Sequence, residues 1–257
     1  MEKDQVMNKR IVNSHPFLIV IVSIFAALDA VIRLVPATYA IGLYKFFSLG
    51  WVFSPIMGIL IGPFAGFSAA VLGSLIRASI APYKWTFGPF TPLLPAISAL
   101  QAGLLTRRKH NLLFALIASA ILFSLMLTWL YLPTGQIVWP VALYYLVGLA
   151  FIPLVRACMN LSGKLLIIAL ILTAYVSNIT QHALGNVLSA TLLNLPPEIF
   201  WAALPLPLIE QTAFAIGSGV VAYPVLVALR KANLLQYLHF DLPEKQTETF
   251  KVTKGVE

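Results

Sequence analysis

Residues 46–80 read FFSLGWVFSPIMGILIGPFAGFSAAVLGSLIRASI, and Arg77 is the only charged residue among them. A membrane-crossing helix needs about 20 apolar residues, so the stretch is too long for one crossing and must break. Gly62-Pro63 supplies the break, because this dipeptide marks a turn and proline suits the first position of a new helix. The stretch therefore predicts two apolar runs, 46–62 and 63–80, folded back to back.

Outward from this pair the pattern repeats. Upstream, 16–35 is an apolar run opened by Pro16 and closed by Pro36, followed by a loop at 36–45. Downstream, 81–90 (APYKWTFGPF) is rich in aromatics and proline, a composition suited to the membrane interface. A short run at 91–106, starting with Pro92 and Pro95, either spans or re-enters, and the basic cluster at 107–110 ends it. Runs at 111–132 and 137–154 flank a turn at Pro133-Thr134-Gly135, and a polar link at 155–164 carries Arg156 and Lys164. The seventh run, 165–193, becomes polar in its second half. After the break at Leu195-Pro196-Pro197-Glu198, the eighth, 199–229, ends at Arg230-Lys231.

Composition agrees. The chain has 257 residues, 60% hydrophobic and 10% charged, with a mean hydropathy of +0.89. Soluble domains are about 45–50% apolar and about 25% charged, so a water-soluble enzyme of this length is excluded. The expected fold is an all-α polytopic membrane protein, a bundle of 6–8 transmembrane helices. Residues 1–15 form a polar leader, 16–230 a single transmembrane domain and 231–257 a polar tail. Residues 17–35 are too long for the apolar core of a cleaved signal peptide. Cys158, the single cysteine, excludes an internal disulfide and a cysteine-based metal cluster.

The net charge of +8 would suggest nucleic acid in a soluble protein. Here the basic residues lie between apolar runs, which points to lipid and argues against a nucleic-acid partner. With eight crossings, one side carries Lys3, Lys9, Arg10, Arg107, Arg108, Lys109, Arg156, Lys164, Arg230 and Lys231. The other carries Arg33, Lys45, Arg77 and Lys84. The positive-inside bias then puts both termini in the cytoplasm of a multi-pass protein of the cell membrane.

Ionisable and polar groups inside the apolar runs each call for a reason. At 3.6 residues per turn, Asn178, His182, Gly185, Asn186 and Ser189 fall on one arc of the seventh run. Such a stripe faces protein or a water-filled cavity; it either glues helices together or lines a solute site. Glu210, next to Gln211, is protonated, paired with a cation or bound to something. On the first run, Asp29 and Arg33 are spaced for a local salt bridge. Ala26 and Ala30 form a small-residue face of the kind that admits a second helix closely. No zinc-protease, nucleophile-elbow or phosphate-loop motif is present. Neither an enzyme, nor a metal, nor a cofactor is expected.

Several stretches resemble one family. Residues 53–67 (FSPIMGILIGPFAGF) are similar to the second-to-third helix turn of the substrate-binding subunits of energy-coupling-factor transporters, where an apolar run, Gly-Pro-x-x-Gly and a second apolar run follow one another. Residues 88–103 (GPFTPLLPAISALQAG) are similar to that family's fourth-helix entry, and Ala26-x-x-x-Ala30 resembles its first-helix alanine motif. The segment from His182 through Gly185-Asn186 to Glu210 and Pro224 resembles its last two helices. The family typically has six helices; the surplus here is the hairpin at about 111–154. The resemblance implies capture of a vitamin or related micronutrient from outside. It also implies two kinds of partner: a transmembrane coupling subunit, for which Ala26 and Ala30 would be the docking face, and two cytoplasmic ATPases.

The expected solute site combines Arg33, Tyr39, Arg77, Trp85, Asn178, His182, Asn186 and Glu210. The rival reading is a proton-coupled secondary transporter using Glu210 and His182, although residues 16–110 and 111–230 show no convincing internal repeat.

Overall fold

A computed structural model describes residues 15–40, 45–82, 85–107, 111–159 and 164–231. The chain is an all-α membrane bundle with one small β-hairpin. In order, the elements are α1 (His15–Ile32), β1 (Pro36–Ala40), β2 (Lys45–Ser48), α2 (Gly50–Ile61), α3 (Pro63–Ile80) and α4 (Leu93–Thr106). There follow α5 (Asn111–Tyr131), α6 (Pro133–Ile137), α7 (Val141–Met159), α8 (Lys164–Leu192), α9 (Pro197–Ala203) and α10 (Leu206–Lys231). Five of these, α3, α5, α7, α8 and α10, are long and apolar enough to cross a membrane.

The Gly62-Pro63 break is where the sequence predicts it. Gly62 takes φ 89°, a left-handed conformation that a side chain would strain, and Pro63 opens α3. Close packing across the break needs small residues as well, because lipid gives apolar helices no hydrophobic reason to associate. A Cβ on Gly58 of α2 would collide with the Ala99 carbonyl of α4.

Elsewhere the boundaries move, each for a local reason. The loop expected at 36–45 is half of an antiparallel hairpin that takes in 46–48, so α2 starts at Gly50. Tyr39 pairs with Phe46 and Thr38 with Phe47, aromatic and β-branched residues suited to a ladder. The turn at 133–135 winds into α6. The next helix starts at Val141, behind Pro140, and continues through Arg156 to Met159. The eighth run is two helices. Pro205 and Pro207 lack the amide hydrogens that would carry one ladder through, so α9 ends at Ala203 and α10 begins at Leu206.

α8 is the central post. It packs against α10, α7, α4, α5 and α2, and 67% of its apolar window is buried against 28% for α5. The hairpin of α5 and α7 is nonetheless integral. Trp129 is fully buried and meets the ring of Phe200 of α9 at 5.1 Å in a tilted pair, and Gln101 of α4 donates to the Ala118 carbonyl of α5 at 3.0 Å.

Helix directions follow from a few contacts. Asn186 meets Tyr145, and Gly148 lies against Ile179, so α7 and α8 are antiparallel. The Tyr144 hydroxyl donates to the Leu204 carbonyl, which puts the start of α10 beside the start of α7. α10 therefore also runs antiparallel to α8. Arg33 touches Gly50, joining the end of α1 to the start of α2. Successive long elements alternate, and α1 begins and α10 ends at the same end of the bundle. The end bearing the β-hairpin is the opposite one.

Two of the buried helices are short. α2 has 12 residues and α4 has 14, lengths of about 18 and 21 Å at 1.5 Å per residue, against a hydrocarbon core of about 30 Å. The shortfall is at the hairpin end. Trp51, the second residue of α2, stacks on Phe214, well inside α10. Leu94 lies level with Gly185, below the end of α8. The hairpin and the segment leading into α4 complete that end of the core.

Candidate functional site

The polar stripe of α8 points into the bundle. Asn178 is fully buried, and its Oδ1 accepts a long 3.5 Å contact from the Ser98 hydroxyl of α4; its Nδ2 has no partner. One turn on, His182 is half-buried, with Nδ1 3.4 Å from Asn186 Nδ2. Asn186 Nδ2 donates to the Tyr145 hydroxyl of α7 at 2.9 Å, and the Tyr145 and His182 rings meet at 6.4 Å. Gly185 leaves a gap opposite Leu94, and Ser189 is buried.

Two further groups belong to this layer. Gln181 is buried with Oε1 unpartnered, and Gln211 of α10 is fully buried with neither end of its amide partnered. Because α8 and α10 are antiparallel and Gly219 lies against Ile171, two turns along each helix bring Gln211 level with Ile179. That places it between the levels of Asn178 and Gln181. An unsatisfied buried amide typically costs about 1–3 kcal/mol, and a folded chain carries few of them. Here three carboxamides are incompletely bonded at one depth.

The sequence points to Asn178, His182 and Asn186 through their shared arc. It gives little sign of Gln181, Gln211, Ser98 or Tyr145. Gln181 lies off that arc, and the others sit on different helices that only the packing brings to α8.

The expected site divides in two. Asp29, Arg33 and Arg77 gather in the corner between α1, α2 and α3. Arg33 Nε donates to Asp29 Oδ2 at 2.6 Å, and Nη2 to Ser54 Oγ of α2 at 2.6 Å. Arg77 of α3 interacts electrostatically with both Asp29 and Arg33. α4 packs against both α3 and α8, while α2, which carries Ser54, reaches α8 and α10 directly. Glu210, half-buried near the start of α10, lies beside Gln211. Trp85, half-buried with its indole Nε1 enclosed and unpartnered, is in the segment leading to α4. Tyr39 is in β1, but its side chain, like Lys84 as a whole, lies outside the described residues.

Ala26 and Ala30 lie on the seam between α1 and α3. They are 1% and 2% exposed, and the close approach they permit is made within the chain. A Cβ on Gly73 of α3 would lie 2.7 Å from the Ala26 carbonyl oxygen and 2.7 Å from Asp29 Oδ2. In the single chain this face packs on α3. The outward face of α1 carries Leu18, Ile19, Val20, Ile24, Leu28 and Val31 instead.

Among the described residues no three His, Cys, Asp or Glu side chains group as metal ligands. An uncharacterized protein of Methanocaldococcus jannaschii is 27% identical over 185 residues, which cover 68% of this chain. The match spans 59% of that relative's length. No family model and no solved structure matches the chain.

Proposed function

We propose that this protein is the membrane-embedded substrate-binding subunit of an importer of the energy-coupling-factor type, capturing a vitamin-like solute from outside the cell. The observation that carries the reading is the layer of buried carboxamides with open hydrogen-bonding positions, Asn178, Gln181 and Gln211, beside His182 and Asn186. Binding sites combine apolar walls with a few placed polar anchors, and a solute supplies the partners that the polypeptide leaves out. The short α2 and α4 support the reading, since neither is long enough to fill the hairpin end of the core. Both termini are cytoplasmic in this proposal, which puts the hairpin end outside. A coupling subunit and two ATPases would supply energy, in keeping with the lack of a phosphate-loop motif in the sequence.

The test is mass spectrometry of small molecules co-extracted with the detergent-purified protein. A stoichiometric solute retained by the wild type and lost from Asn178→Ala supports the proposal. Equal retention by both proteins would reduce the stripe to interhelical glue.

A further inference from the structure

We propose that the corner formed by Asp29, Arg33 and Arg77 is a binding site for an oxyanion group, a phosphate in particular, held chiefly by the Arg77 guanidinium. It is separate from the amide layer on α8 and stands or falls independently of the importer reading.

Charge and hydrogen bonding both leave the corner incomplete. Two guanidinium groups stand near one carboxylate, which bonds Arg33, and all three side chains are at least nine-tenths buried: Asp29 is 0% exposed, Arg33 5% and Arg77 8%. Arg33 already spends Nε on Asp29 and Nη2 on Ser54. Arg77 makes no such bond, and its enclosed Nε has no partner. The acidic side chains among the described residues are Asp29, Glu198 and Glu210. Glu198 lies on α9, which does not pack on these helices; Glu210 lies near the start of α10, which packs on α2 but not on α1 or α3. Within α1, α2 and α3 two positive side chains thus stand against one negative, together with an unused donor from the residue best suited to bidentate recognition of oxyanions.

Its position suits an anion arriving from the surface. Arg33 directly follows the end of α1, and Arg77 lies one turn before the end of α3, so both are at the hairpin end near the membrane boundary. The neighbouring outward side chains of α3, Leu75, Ile76 and Ile80, are exposed for contact with acyl chains. The packing keeps room for the charges, because side chains at Gly50 or Gly73 would strike Arg33 or Asp29. Two sources offer the chemistry: the phosphodiester of an anionic lipid, or a soluble phosphate.

The full-length protein in neutral detergent decides. Thermal unfolding is followed against inorganic phosphate, with chloride at matched ionic strength as control. Retained lipid is counted by native mass spectrometry after titration with short-chain phosphatidylglycerol, with phosphatidylcholine as control. The expected result is a saturable rise in melting temperature with phosphate in the wild type. Arg77→Gln should weaken it at least tenfold and Arg77→Lys less. Retained phosphatidylglycerol that phosphate displaces identifies the lipid headgroup as the source. A phosphate response without retained lipid identifies a soluble anion. If the wild type responds saturably to neither probe, or if Arg77→Gln responds as the wild type does, the proposal is overturned. Should Arg77→Gln fail to fold, the wild-type titrations and Arg77→Lys still decide.

Discussion

In the proposed importer, Asn178 and Gln211 are unfavourable for the empty fold and favourable for binding. Asn178 has one long contact to Ser98, and whichever way its amide is turned one end stays open. Truncation to alanine should weaken solute binding by about 1–3 kcal/mol, the range for a lost buried partner, as measured by titration calorimetry in detergent. Asn186→Ala should do the same and also release Tyr145. Gln211→Met is more discriminating. It keeps the length of the side chain and removes both unpartnered amide atoms, so the empty protein should melt higher while affinity falls. An affinity that stays the same or rises would mean that Gln211 has no part in binding. Glu210→Gln separates the importer from a proton-coupled carrier. The former should shift in affinity alone, the latter should lose the pH dependence of uptake in proteoliposomes.

At the level of elements, the small-residue seams hold the α1–α4 half together. Without a hydrophobic drive in lipid, close backbone approach is the main source of attraction. The approach at Gly73 is set by the Ala26 carbonyl and the Asp29 carboxylate, and that at Gly58 by the Ala99 carbonyl. Backbone atoms cannot step aside as a flexible side chain can. Gly58→Ala and Gly73→Val should therefore each lower stability by about 1–3 kcal/mol, the usual range for over-packing, seen as a lower melting temperature. Enlarging Ala26 and Ala30 together should likewise destabilise the isolated protein. If instead it melts normally and fails only in the presence of a partner subunit, the α1 face would be a docking surface after all.

For the whole molecule, the alternating helix directions make a single prediction. Reporter fusions after Lys109, Pro133, Lys164 and Glu198 should alternate inside, outside, inside, outside. A Pro133 reporter on the same side as its neighbours would turn the α5–α7 hairpin into a segment that does not cross. The packing of Trp129 against Phe200 and of Gln101 against Ala118 argues against that, since both tie the hairpin into the core.

The membrane class, the Gly62-Pro63 break and the inward face of α8 are determined by the sequence alone. Each depends on a local property: length of apolar run, backbone freedom at one glycine, and helical period. The hairpin at 36–48 and the division at Pro205 were less legible, because apolar composition does not distinguish a short strand or a broken helix from a continuous one. The site was legible along one helix and no further. The arc of Asn178, His182 and Asn186 is written in their spacing, but Gln181 and Gln211 join them only through the antiparallel register of α8 and α10. The same holds for Ala26 and Ala30. Spacing reveals a face that can be approached closely, and only tertiary packing decides that the neighbour is Gly73 of the same chain. Arg33 and Arg77, far apart in sequence, come near one carboxylate because α1 and α3 pack in parallel and bring their charged ends to the same corner.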